Sequence, residues 1–223
     1  MHVLASESNL RKEQLDGPQP SEPKSGGADG NELLTAATAV VLVVLLAALG
    51  VTILSIGQLV WWHVLLGMLL IPPVLLKLGS TGWRFVRYYG GEREYVRRGP
   101  PLWPLRLMAP LVITATVAVF GTGVALLVTG PHEGFIVGLH KASFVVWLVV
   151  TAIHVLAHLR SIPGLVAADW RRGPIPSEQR VPGTLWRRLL LATTIVAGAI
   201  LAIATVHYAQ PWVHWFAAST HDG

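Results

Sequence analysis

The sequence predicts an all-α, polytopic membrane protein, a helical bundle of five transmembrane helices in which four form a core and one is additional. Three observations carry that prediction. Of the 223 residues, 52% are hydrophobic and only 13% are charged, where a soluble domain carries about 25% charged residues. The apolar residues lie in long runs, and stretches such as "TAVVLVVLLAALGVTILSIG" leave no polar face to show water. Hydrocarbon about 30 Å thick requires roughly 20 apolar residues in a helix. Five segments meet that length: 33–57, 59–78, 107–129, 134–159 and 189–209.

Residues 33–209 therefore read as one transmembrane domain. The first 32 residues are rich in Ser, Gly, Pro, Glu and Lys. They bury too little apolar surface to offset the entropy of ordering, and a disordered cytoplasmic tail is expected. A cleaved secretory signal is not, because this acidic tail precedes a first hydrophobic run of full spanning length. Cysteine is absent, which excludes disulfides, thiolate metal sites and cysteine nucleophiles, so redox chemistry would need a bound cofactor.

Orientation follows from the basic residues, which stay on the cytoplasmic side. Lys77 at the end of the second segment and Arg84, Arg87, Arg93, Arg97, Arg98 and Arg106 before the third form one basic set, and Arg160, Arg171, Arg172, Arg180, Arg187 and Arg188 lie between the fourth and fifth. The other side has only Lys141. A cell (inner) membrane protein with a cytoplasmic N-terminus and an external C-terminal tail, residues 210–223, satisfies every loop. The net charge of +5 is then a consequence of topology. Nucleic acid need not be invoked, and the basic loops suit the anionic headgroups of the lipid bilayer.

The histidines are the chemistry-bearing residues. His63 lies 21 residues before Arg84 and His140 lies 20 before Arg160, so both are expected at one level near the outer face. His154 follows His140 by 14 residues, which puts it on the same helix face about 21 Å deeper. Phe144, Trp147, Thr151 and His158 continue that stripe. Polar side chains in a membrane helix are costly and normally point to a bundle interior or a cofactor. Two level imidazoles on different helices match the axial ligands of a b-type haem, with His63 and His140 holding the iron. Gly67, Gly121, Gly123 and Gly138 would make room for the macrocycle. The alternatives are interhelical hydrogen bonding by the histidines and ordinary close packing at the glycines.

On these residues, over about 33–160, the chain resembles the bacterial cytochrome b561-like family of membrane b-type cytochromes. The resemblance rests on His63 near the outer start of helix two and on His140 and His154 in helix four. It implies a four-helix haem-binding core, haem b carried by His63 and His140, and electron transfer between a quinone pool and an external oxidoreductase such as a molybdopterin enzyme. In that family the fourth helix serves two haems and the first helix completes one of them. Here helix one contains no histidine, so one haem is expected and a second would rest on His154 as an iron ligand. His207 is a substitute ligand by position.

His154 and His158, one turn apart and near Lys77 and Arg160, are alternatively a quinone or proton-transfer site, since imidazole titrates near neutrality. Interfacial hydrogen bonding is the competing explanation. Pro72 and Pro73 are expected to kink helix two, the tryptophans to form an interfacial belt, and "PWVHWF" to lie along the outer interface. No phosphate-cradling loop, hydrolase triad or membrane carboxylate pair is present. The alternative to a cytochrome is a haem-free membrane scaffold or assembly subunit.

Overall fold

The structure, a computed structural model, describes residues 27–97, 99, 103–132, 134–158 and 181–219. Hydrocarbon offers the backbone no hydrogen-bond partner, so a spanning segment must satisfy its own amides by coiling. Among the described residues every element is a helix. They are α1 (Gly27–Leu54), α2 (Ile56–Tyr89), the short α3 (Arg93–Arg97), α4 (Trp103–Thr129), α5 (Gly134–His158) and α6 (Thr184–Thr205), which runs through a 3-10 turn (Val206–Ala209) into α7 (Gln210–Ser219). Stretches in α1, α2, α4, α5 and the α6–α7 run are each long and apolar enough to cross a membrane. Large apolar side chains point outward, among them Leu54 at 84% exposure, Phe135 at 81% and Val128 at 76%. Water would not tolerate so extensive an apolar belt, whereas lipid tails are as apolar as the side chains themselves.

Two groups of helices make the bundle. α2 packs against both α1 and α6, and α4 packs against α5 as a separate hairpin. The groups meet where Met68 of α2, Leu127 of α4 and Ala202 of α6 are buried together. Nearer the α4–α5 turn they meet again around Val60, Leu126 and Trp212. α2 and α6 cross closely, with the Gly198 backbone against the Leu69 carbonyl, where a Cβ would collide.

Local polar bonds move the element boundaries away from those the apolar runs predict. α1 begins at Gly27, inside the expected tail, because the Glu94 carboxylate accepts from the Ala28 N–H at 2.7 Å. An anion is favourable among the open amides of a helix N-terminus. Asn31 Nδ2 then donates to the Ser80 carbonyl at 3.0 Å, and Thr35 Oγ1 to Ser80 Oγ at 2.9 Å. α2 continues through Pro72 and Pro73 and past residue 78 to Tyr89. Its last turns gain an Arg87–Glu92 ion pair at 2.7 Å and the Arg87 guanidinium 4.3 Å from the Trp83 ring centre. Burial raises the Tyr95 phenol above its ordinary pKa, with a Trp83 hydrogen bond opposing it. At the other end, residues expected as an external tail form α7, anchored by the Trp212 indole N–H donating to the Leu126 carbonyl at 3.1 Å. Residues 1–26 and 220–223 lie outside the described residues.

The α2–α6 crossing makes a stability prediction. Gly198→Ala forces the Leu69 backbone away, and overpacking of this kind costs about 1–3 kcal/mol. Gly79, with open space where a Cβ would go, should gain up to about 1 kcal/mol as Gly79→Ala through helix propensity. Thermal unfolding in one detergent checks both, and equal midpoints for the two variants would contradict the packing.

Candidate functional site

Each of the two histidines is positioned by a helical hairpin. α1 reverses almost directly into α2 at Ser55, whose carbonyl accepts from the amides of Gln58 and Leu59 at 3.0 Å. The short reversal brings the last turn of α1 beside the first turns of α2. Thr52 Oγ1 consequently lies 2.8 Å from His63 Nδ1, eleven residues away in the chain. α4 ends where the Gly130 amide returns to the Leu126 carbonyl at 3.0 Å with Gly130 at φ +77°, a left-handed cap followed by Pro131. That turn sets α5 antiparallel to α4. Thr122 Oγ1 then lies 3.0 Å from His140 Nδ1, eighteen residues away.

The hydroxyls fix the tautomers. Thr52 Oγ1 also contacts the Leu49 carbonyl, and Thr122 Oγ1 contacts the Ala118 carbonyl at 2.7 Å and the Val119 carbonyl at 3.1 Å. A hydroxyl has one hydrogen and two lone pairs. It satisfies a carbonyl and an imidazole together only by donating to the carbonyl and accepting from the ring. Both rings are thereby assigned as neutral Nδ1–H tautomers, each with a lone pair at Nε2. The Val119 carbonyl is a further acceptor beside the His140 ring. Ser143 Oγ, held at 2.9 Å by the His140 carbonyl, completes the group at 3.3 Å from Thr122 Oγ1.

The two hairpins bring the histidines together. His63 lies within electrostatic range of His140, and both rings are half-buried. Gly123 is where the second hairpin makes room, because a Cβ there would stand 3.2 Å from His140 Cε1. The Gly123 position thus lies directly against the His140 ring. Gly67, Gly121 and Gly138 have open space at the Cβ position.

From Phe144, one turn beyond His140, α1 and α5 do not close on each other. A cleft of 260 Å³ separates them, lined by Gly50 and Ile53 next to Thr52 and by Phe144, Trp147 and Thr151 on the face of α5 that carries His140. The expected stripe on the fourth spanning helix thus faces α1. Phe144 and Trp147 stack with ring centres 6.4 Å apart, and the Trp147 indole N–H donates to Thr116 Oγ1 at 3.1 Å, holding the stripe against α4. Thr151 Oγ1 is buried in the cleft wall with no hydrogen-bond partner among the described residues.

The remaining sequence-predicted residues are not drawn into this pair. Lys77 is turned to α1, its ammonium donating to the Thr35 carbonyl at 3.0 Å within the Asn31–Thr35–Ser80 group. His154 is partly buried on α5, and His207 is exposed beside the Tyr208 ring. The His158 side chain and Arg160 lie outside the described residues. Sequence reading missed Thr52, Thr122 and Ser143. Their signal was a hydroxyl inside an apolar run one helix before each histidine, easily taken for ordinary back-bonding to the helix.

Chemically, the site offers two imidazole lone pairs from two rigid hairpins and apolar walls. Among the described residues no group of three or more His, Cys, Asp or Glu side chains can surround a metal ion. A bare ion, which needs about four ligands, is a poor match. A metal whose equatorial positions are already filled by a macrocycle needs only two. Comparison with protein-family models, curated proteins and solved structures finds no match.

The Lys77 contact makes a separable prediction. Lys77→Met removes one charge-assisted bond and also the cost of burying an ammonium, terms of opposite sign that leave stability within about 1 kcal/mol. Thermal unfolding checks it. A collapse of the fold on this substitution would show that the amine holds more than the Thr35 carbonyl.

Proposed function

We propose that this chain is a membrane-embedded b-type cytochrome, with His63 and His140 as the axial ligands of one haem b. The observation that carries the reading is the pair of imidazoles, brought together from two hairpins and each anchored through Nδ1 so that Nε2 is the available donor. Haem would supply one-electron chemistry at iron. The chain's own contribution is to orient the two rings, to keep water from them with apolar walls, and to hold them near one end of the bundle. An apolar cleft between α1 and α5 opens one turn from His140, lined by Phe144 and Trp147.

The same reading orients the chain. The histidine pair lies toward the end formed by the α1–α2 turn, the α4–α5 turn and α7, and the arginines of α3 and the last turns of α2 lie at the other. With basic segments cytoplasmic, the pair sits on the external side of a cell (inner) membrane. The resemblance to the bacterial cytochrome b561-like family then suggests exchange of electrons between quinone and an external oxidoreductase, a molybdopterin enzyme being one such partner. His154 and His158 are the residues to examine for a quinone or proton site, or, for His154, a second haem.

Protein expressed with ample haem supply should carry about one b-type haem per chain by pyridine haemochrome analysis, one complete pair holding one iron. His63→Ala and His140→Ala should each lose most of it, and His154→Ala should keep it. Protein that stays colourless would sink the cytochrome reading in favour of a haem-free scaffold. Haem lost in His154→Ala and kept in His63→Ala would mean that the wrong pair is assigned.

Because the chain has no cysteine, single cysteines placed at Arg93 and His214 report topology directly. An impermeant thiol reagent should label only the His214 position in intact cells. Labelling at Arg93 instead would reverse the membrane side assigned to the histidine pair.

A further inference from the structure

The same two-residue device occurs in both hairpins. In each, a threonine near the end of the first helix meets the Nδ1 of a histidine on the second, and in each the hydroxyl also contacts carbonyls of its own helix. A threonine that only back-bonds its own helix needs no partner across the hairpin, as Thr129 shows with its bond to the Ala125 carbonyl. Thr52 and Thr122 differ because each also lies within hydrogen-bond distance of a ring nitrogen, and with the hydroxyl hydrogen assigned to the carbonyl its oxygen is the acceptor for the ring. A hydrogen-bond acceptor at one ring nitrogen fixes the tautomer and the rotation of an imidazole and makes the other nitrogen a stronger electron donor.

We propose that Thr52 and Thr122 are positioning residues that set the ligand strength of His63 and His140 and so lower the reduction potential of the iron between them. The assignment rests on the cytochrome reading for its effect on iron, but its hydrogen-bond component belongs to the apoprotein alone. Stronger imidazole donation favours ferric over ferrous iron. Removing the acceptor therefore moves the potential upward. Loss of such outer partners weakens metal sites by about 10- to 100-fold, and the lower bound, applied to the ferric preference alone, corresponds to about 59 mV for one electron.

The test uses the full chain in lipid with four variants, Thr52→Val, Thr52→Ser, Thr122→Val and Thr122→Ser, and Thr129→Val as a control. Three quantities are read: the midpoint potential, the rate of haem loss to an excess of a haem-acceptor protein, and the ring ¹⁵N shifts of histidine-labelled apoprotein. Each valine variant should raise the potential by about 59 mV, lose haem about tenfold faster, and weaken the Nδ1–H signature of one ring. The serine variants should restore wild-type behaviour, and Thr129→Val should show it throughout. Valine variants that match wild type in potential and haem retention overturn the proposal and leave the cytochrome reading standing. Wild-type protein that takes up no haem overturns the cytochrome reading. In that event the ring nitrogens still judge the threonines: an Nδ1–H signature lost with valine supports the hydrogen-bond assignment, and Nε2–H rings in wild type overturn it.

Discussion

A polar group inside hydrocarbon must find its partner within the protein, because no water can supply one. That constraint accounts for the helices themselves and for nearly every interhelical polar contact between them. The Trp212 indole reaches the Leu126 carbonyl, the Trp147 indole reaches Thr116, the Lys77 ammonium reaches the Thr35 carbonyl, and the two imidazoles reach Thr52 and Thr122. Apolar side chains do not discriminate between lipid and each other with comparable force. These few directional bonds, with the close approach at Gly198, therefore specify how the helices are registered.

The two hairpins divide the labour. α1–α2 is tied along its length by Asn31, Thr35, Lys77 and Ser80 at one end and by Thr52 and His63 at the other. α4–α5 is tied by Thr116–Trp147 and Thr122–His140. Between the hairpins the packing is looser, and the cleft between α1 and α5 remains.

Much of this was legible in the chain. The apolar runs gave five spans, because bilayer thickness sets the helix length directly. The 3.6-residue period picked out the face bearing Phe144, Trp147 and Thr151, which lines the cleft toward α1. The boundaries were less legible. α1 starts at Gly27 because Glu94 lies across from it in space, 66 residues away in sequence, and α7 forms because Trp212 finds a carbonyl 86 residues away.

The sequence by itself determined the all-helical membrane class and the number of spans, since both depend on composition and on the length of apolar runs. The tertiary structure decided which groups meet. It assigned Gly123 to the His140 ring, turned Lys77 toward α1, and supplied each imidazole with a threonine from the preceding helix. Those outcomes depend on how one helix is rotated against another, and that rotation is set by a handful of bonds between residues distant in the chain, which no periodicity within a single segment encodes.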